Sequence, residues 1–333
     1  MPDNIASAMV SKVEIRRRAS DWPTVTVIIP VKNDADRLAV CLASLAKQNY
    51  PAEGHEVIVV DNGSKDDSRH VAELAGVKVL CFPGLRVGAL RNRGVEAAQG
   101  EILAFVDSDH EVPPGWLGAG VSELVADPSL NMVGSPCLAP PLGTWVQQVW
   151  QLHRLRNNER RRVDWLGAGN LFVRKYDFER IGGFDESLVA AEDVDLCVRL
   201  KEVHGRIISD MRVANIHHGE PQTLWQFFRK ELWRGSSGIR AFFAHGMPLH
   251  ELPSLAFPIY HLLALVLLVA TTVALAMGTS WLWLAGATGL LVLPAMLLGL
   301  KTSWQVRQPL AMPQLSILYF AYGMARAAAL FKR

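Results

Sequence analysis

The residues of this chain with the most chemistry to offer are Asp107 and Asp109, two carboxylates separated by one serine at the end of the stretch EILAFVDSDH, residues 101–110. Ile102 to Val106 is a continuous apolar run bounded by polar residues, the pattern of a strand buried on both faces. Strand side chains alternate, so the two aspartates should point the same way at the strand's carboxyl end. In open α/β sheets that is the end where ligands bind. Two carboxylates aimed at one point repel unless a cation lies between them, and hard oxygen ligands suit Mg²⁺ or Mn²⁺. The plainer use of the same acids is to cap the helix that follows. His110 comes next and should face the opposite way, as a structural residue.

Such a strand needs neighbours to position it, and the chain supplies them. Val25 to Ile29 is β-branched throughout and stops at Pro30, after which Lys32, Asn33 and Asp34 lead into a helix carrying Leu38, Leu42 and Leu45. His55 to Val60 repeats the plan and ends at Asp61-Asn62-Gly63-Ser64. A third strand is expected at Val77 to Phe82 and a helix at Val87 to Ala98, before the central strand. Pro113, Pro114 and Trp116 should start another helix, and Gly143 to Arg162 another with a basic end. Leu171 to Val173 reads as a strand, Glu192 onward as a helix with Leu196, Leu200 and Val203 buried, and Val213 to Ile216 as strand-like. Strands alternating with helices, each strand ending in polar residues, predict an α/β fold: a mostly parallel sheet with helices on both faces.

The 333 residues are not uniform in composition. Up to about Gly246 they suit a soluble globular protein. Pro253 to Gly278 is almost wholly apolar, with His261 its only potentially charged residue, and Trp281 to Leu300 follows after a Thr-Ser link. Each run is about the twenty residues that cross a bilayer, so a tight transmembrane hairpin is predicted. A third segment, Pro313 to Phe331, carries Arg326 and could span, re-enter or lie at the interface. Residues 1–22 read as a surface arm, 23–220 as the catalytic domain, 221–250 as an amphipathic interfacial segment and 251–333 as a membrane domain. The basic residues from Arg229 to Arg240, interleaved with Trp225, Phe227, Phe228 and Trp233, suit the surface of an anionic leaflet. With Lys301 and Arg307 they put both hairpin ends on the cytoplasmic side of the inner membrane, the catalytic domain facing the cytoplasm. A formal charge of +2 gives no reason to expect a nucleic-acid partner. The four cysteines lack any CxxC spacing and are expected as reduced core residues.

Taken in order, VTVIIPVKND, VIVVDNGSKDDS, RVGALRNRGVEAAQGEILAFVDSD, GAGNLFVRK, GGFDE and AEDVDLCVRL resemble the bacterial family-two glycosyltransferases of the GT-A fold, over about Val25 to Gly219. The C-terminal hairpin resembles that of membrane-attached members that build exopolysaccharides or glycolipids. The resemblance implies roles residue by residue. Pro30, Lys32 and Asn33 would line the base and ribose of the donor, and Asp61 would accept from base or ribose, although Asp-Asn-Gly is also a turn signal. Arg91 and Asn92 would face the diphosphate or hold Asp107. Asp109 would bind the metal directly, with Asp107 on the ribose or on a water of the metal. Gly169 and Asn170 would border donor sugar and acceptor, or Asn170 could satisfy the turn's own backbone. Asp193 would be the base of an inverting transfer, with Glu192 orienting it or the acceptor. The competing use of these two acids is to complement the helix dipole. Of His217 and His218, the first is preferred as a further metal ligand. The pattern around Gln226 to Arg234 departs from the QxxRW of processive synthases, which favours addition of a single sugar. The expected partners are thus a nucleotide-sugar donor, a lipid-linked or glycan acceptor, and membrane lipid. A catalytically inactive nucleotide-binding scaffold is the alternative. A nucleotidyltransferase is disfavoured because VIIPVKND offers no glycine-rich basic triphosphate loop.

Overall fold

The apolar runs read from the sequence become the parallel half of one mixed sheet in the computed structural model, which describes residues 22–155, 160–244 and 252–331. Most of the expected N-terminal arm, and residues 245–251 at the end of the interfacial stretch, lie outside those residues. The strands are β1 (Val25–Val31), β2 (His55–Asp61), β3 (Lys78–Cys81), β4 (Ile102–Val106), β5 (His110–Glu111), β6 (Met132–Gly134), β7 (Arg161–Arg162), β8 (Asn170–Arg174), β9 (Ile207–Ser209) and β10 (Ile216–His217). The helices are α1 (Ala35–Leu45), α2 (Ser68–Leu74), α3 (Val87–Glu96), α4 (Trp116–Ala126), α5 (Trp145–Leu155), α6 (Lys175–Arg180), α7 (Glu192–Glu202), α8 (Leu224–Ala244), α9 (Leu252–Ala276), α10 (Trp281–Gln305) and α11 (Met312–Ala329).

The main sheet runs β3-β2-β1-β4-β8-β6-β9-β7. β3, β2, β1 and β4 are mutually parallel, and β8 then joins β4 antiparallel, with Val106 opposite Asn170. Period-two alternation divides the core cleanly. Val25, Val27, Ile29, Ile102, Ala104 and Val106 pack on one face, with α1 and α4. Ile28, Ile58, Val60, Leu103 and Phe105 pack on the other, with α3, α6 and α7.

Several expectations need correction. β1 runs through Pro30 to Val31 rather than stopping at the proline. Its pairing with β4 ends at Ile28, so Pro30 has a ladder only on the β2 side and its missing N–H is tolerated. α5 ends at Leu155, and Arg161–Arg162 is a short edge strand on β9 instead of the tail of that helix. Of the expected strand-like run Val213 to Ile216, Val213 ends a 3₁₀ turn (Met211–Val213), 214–215 are irregular, and only Ile216 enters a strand, together with His217 in β10. Cys41 and Cys197 are buried as expected, but Cys81 is exposed because β3 is the edge of the sheet.

Beyond the sheet, Thr223 and Gln226 form a reciprocal capping box that starts α8. Ala256–Ala276 and Trp281–Gln305 are long and apolar enough to cross a membrane, and only 11% and 22% of their spans are buried, unlike the core helices of a soluble protein. α11 packs on α8, α9 and α10, and its Arg326 donates to Glu231 of α8 at 2.8 Å. α5 closes the junction. Its Val146, Val149, Trp150 and Leu152 share one apolar cluster with Phe227 of α8, Ala295 of α10 and Leu315, Leu318 and Tyr319 of α11. Within that cluster Tyr319 Oη lies 2.8 Å from His153 Nδ1 and 2.7 Å from Thr302 Oγ1.

Candidate active site

Val106 is the last strand residue of β4, and alternation carries Asp107 onto the sheet face that bears α3 and α7. There Arg91 of α3 meets it. The Arg91 guanidinium is 3% exposed and forks between two acids, 2.7 Å from Asp107 Oδ1 and 2.7 Å from Glu192 Oε1 at the start of α7. Its face also lies over the Phe184 ring, 5.5 Å from the centroid. A planar fork with five donors is suited to joining two carboxylates in this way.

Asp109 does not point the same way as Asp107. The chain leaves the sheet in a turn closed by His110 N–H to Asp107 O at 3.1 Å, so strand alternation no longer applies. Asp109 is turned instead toward α1, where Arg37 lies 3.7 Å away, and toward His217, whose Nε2 is 3.0 Å from Asp109 Oδ2. His217 is delivered by a two-stranded ribbon in which β5 and β10 pair antiparallel, His110 directly opposite His217. His218, on the other side of that ribbon, pairs with Glu111.

His110 is the residue that sequence reasoning missed. The same turn that diverts Asp109 brings His110 Nε2 to 3.6 Å from Asp109 Oδ1 and its ring to 4.5 Å from that of His217. One donor atom each from Asp109, His110 and His217 falls within 4.8 Å of the others, and Asp107 is not a member of this group. The His110 Nε2 atom is buried and has no hydrogen-bond partner among the described residues. Burial, assisted by the charge of His217, pushes the His110 pKa down to about 4, leaving the imidazole neutral, the form that ligates metals. Burial opposes ionisation of Asp109, but the His217 hydrogen bond, with the charges of His217 and Arg37, outweighs it and holds the carboxyl below its usual range. An orphaned buried imidazole nitrogen beside a carboxylate and a second imidazole fits a divalent cation.

Two glycines make the room. A Cβ on Gly169 would lie 2.7 Å from His110 Cε1 and 2.8 Å from Asp107 Oδ2, and one on Gly219 would collide with Asp109 Oδ2. Gly219→Ala is therefore expected to displace the Asp109 carboxylate and weaken Mn²⁺ binding by about 10–100-fold, with little change in melting temperature. Isothermal titration and a thermal melt check both halves.

Asp193 sits beside the loop before β8. Its Oδ1 accepts from Val194 N–H at 2.9 Å, the Ala168 N–H also supports it, and a Cβ on Gly167 would lie 3.8 Å from its Oδ2. Burial, then the neighbouring Glu192 charge, raises its pKa from 3.8 to about 6, against the pull of Arg91. A carboxylate tuned near neutrality can both hold and release a proton at working pH.

The remaining expected ligands fare unequally. Lys32 and Asn33 are exposed at the end of β1, and Asn33 ties that loop to the one after β2 through Lys65 N–H at 2.7 Å and Ser64 Oγ at 2.9 Å. Pro30 is buried within β1 and presents no surface to a base. Asp61 is 2% exposed and both its oxygens accept from the backbone N–H groups of its own turn, Gly63 and Ser64, the use that Asp-Asn-Gly also announced. Asn92 is engaged by Phe184 and Glu186 rather than aimed at the Asp107 end. Asn170, 1% exposed, accepts from Trp116 Nε1 and donates to the Ser135 and Val213 carbonyls, so its amide brackets strands instead of facing a ligand.

Residues 26–173 match the family described as Glycosyl transferase family 2. The glycosyltransferase AglE of Haloferax volcanii is 29% identical over 248 residues, 71% of this chain and 80% of that protein. The pre-mycofactocin glycosyltransferase of Mycobacterium tuberculosis is 30% identical over 226 residues, 64% of this chain but only 46% of that longer protein. Among solved structures, a mannosyltransferase of Pyrobaculum calidifontis, in complex with GDP-Man and Mn²⁺, aligns over 96% of this chain and 91% of its own with a TM-score of 0.58 and 19% identity, a likeness of fold.

Proposed function

Because the chain is a glycosyltransferase that carries a family 2 domain at residues 26–173, we propose that it transfers a single sugar, with inversion, from a nucleotide-sugar donor to a lipid-linked or glycan acceptor at a membrane. The observation that carries this reading is the Arg91 fork. It joins the acid at the end of β4, two residues before Asp109, to the acid that opens α7, the immediate neighbour of Asp193.

In this reading Lys32 and Asn33, with the turn that Asp61 closes, receive the nucleotide. Asp109, His110 and His217 hold a divalent cation, which when bound would offset the negative charge that grows on the departing diphosphate. Two imidazoles beside one carboxylate favour Mn²⁺ over Mg²⁺, and the Pyrobaculum enzyme with its GDP-Man and Mn²⁺ is in keeping with both halves of the site. Asp193, ionised at neutral pH, takes the proton of the acceptor hydroxyl as that oxygen attacks the anomeric carbon from the side opposite the diphosphate. Glu192 is held by Arg91 and keeps Asp193 at the start of α7.

α9 and α10 would lie in the bilayer. The basic residues of α8, with Lys301 and Arg307 beyond the second span, support an orientation with the catalytic domain on the cytoplasmic side. A lipid-linked acceptor of a cell-surface polysaccharide or glycolipid would then be presented close to the site.

Binding of UDP, GDP and dTDP, with CMP as control, with and without Mn²⁺ or Mg²⁺, tests the reading in the parent and in Asp109→Ala. One nucleotide should bind in a manner that needs both the cation and Asp109. Binding indifferent to both would leave a scaffold in place of an enzyme.

A further inference from the structure

We infer that Glu220 is a positioning residue of the cation site, acting through His217 and anchored by two helices that give no atom to the site themselves. This rests on the Asp109, His110 and His217 group proposed above. The Glu220 side chain is 3% exposed, and its Oε1 lies 3.0 Å from His217 Nδ1 while the opposite ring nitrogen, Nε2, lies 3.0 Å from Asp109 Oδ2. An imidazole that offers one nitrogen to a metal must carry its proton on the other, and an acceptor there fixes both tautomer and ring orientation. Glu220 occupies that place. Its position on Nδ1 also keeps it away from the cation, so it is not a ligand.

A buried carboxylate needs compensating charge, and the source of that charge is what distinguishes this residue. Arg154 of α5 pairs with Oε1, and Lys230 of α8 reaches Oε2 at 3.3 Å. Gln147 of α5 donates to the Glu220 carbonyl at 3.0 Å, and Lys230 also reaches the Gly219 carbonyl at 3.4 Å. The segment from His217 to Glu220 is thus clamped between α5 and α8, the helices whose other faces pack with α10 and α11. The seating of the C-terminal helices therefore bears on how firmly His217 is held for the cation.

The test is Mn²⁺ affinity, read by electron paramagnetic resonance on the full chain in detergent, for the parent, Glu220→Gln, His217→Ala and the double variant. Glu220→Gln keeps the shape but loses the charge, and is expected to weaken Mn²⁺ about tenfold or more. In the His217→Ala background the same substitution should cost almost nothing further, because its effect passes through the imidazole. Glu123→Gln is the control for loss of a buried acid in general: Glu123 is 5% exposed between Arg160 and Arg212, away from the site, and its loss should leave Mn²⁺ affinity unchanged. Parent-like affinity in Glu220→Gln, or an equal loss with and without His217, overturns the positioning role alone. Absence of Mn²⁺ binding in the parent overturns the cation site and this role with it.

Discussion

Replacing Asp193 by asparagine will lower kcat by about 10²–10⁴-fold, the contribution typical of a positioned general base, while leaving the affinity for nucleotide and Mn²⁺ close to that of the parent. The asparagine fills the same volume and can still accept from the Val194 N–H, but it cannot take a proton from the acceptor hydroxyl. In the parent, kcat should rise with pH and level off as Asp193 ionises, with an acid limb near the value of about 6 to which burial and Glu192 raise it. Asp193→Asn should lose that limb. Stability gives an independent reading of the same group. A carboxyl raised from 3.8 to about 6 on folding favours its protonated form, so the charge borne at pH 7 works against the fold. That cost is absent below about pH 4, where the group is protonated folded or unfolded, and complete above about pH 6. Asp193→Asn should therefore be more stable than the parent at pH 7, by at most about 3 kcal/mol, with the difference fading in acid. A variant that is both inactive and less stable would point to a structural acid.

The second large effect is expected at Arg91. Arg91→Met removes the two 2.7 Å ion pairs to Asp107 Oδ1 and Glu192 Oε1 and leaves the buried Glu192 carboxylate without that cation. Breaking a buried ion pair by removing one partner costs about 3–5 kcal/mol. Thermal unfolding in detergent should show a clear fall in melting temperature, together with loss of transfer. Arg91→Lys separates the two consequences. A lysine keeps the charge but cannot reach both carboxylates with a rigid fork, so it should recover part of the stability and little of the activity. Parent-like melting of Arg91→Met would mean that the fork does not hold α3, β4 and α7 together.

What the sequence made legible follows from what local patterns encode. β4 was readable to the residue because five apolar side chains in a row, closed by acids, have few other uses. The start of α7 at Glu192 was readable because its buried residues recur at helical spacing. His110 was lost for the same reason that β4 was found: alternation was extended past the last strand residue into a turn that reverses the chain. The Arg91 fork could not be read at all, since its partner Glu192 lies 101 positions away and the pairing exists only once α3 and α7 pack on one face. Asn170 shows the converse. Its place at a glycine-rich turn suggested a ligand contact, but as the first residue of β8 it points into the sheet, where three internal bonds take up its amide. The edge strand β7 carries two arginines and no apolar signal, so only its partner β9 defines it.

Among the described residues, one apolar cluster joins α5 and α8 to α10 and α11. An enzyme on a flexible tether sweeps a volume whose radius grows as the square root of tether length, and it can meet acceptors at many distances from its anchor. Here α5 and α8 pack directly against the C-terminal helices. If α9 and α10 lie in lipid as proposed, this packing would fix the height of Asp193 above the bilayer, and the protein would act as a ruler for hydroxyls that stand off the membrane by that one length.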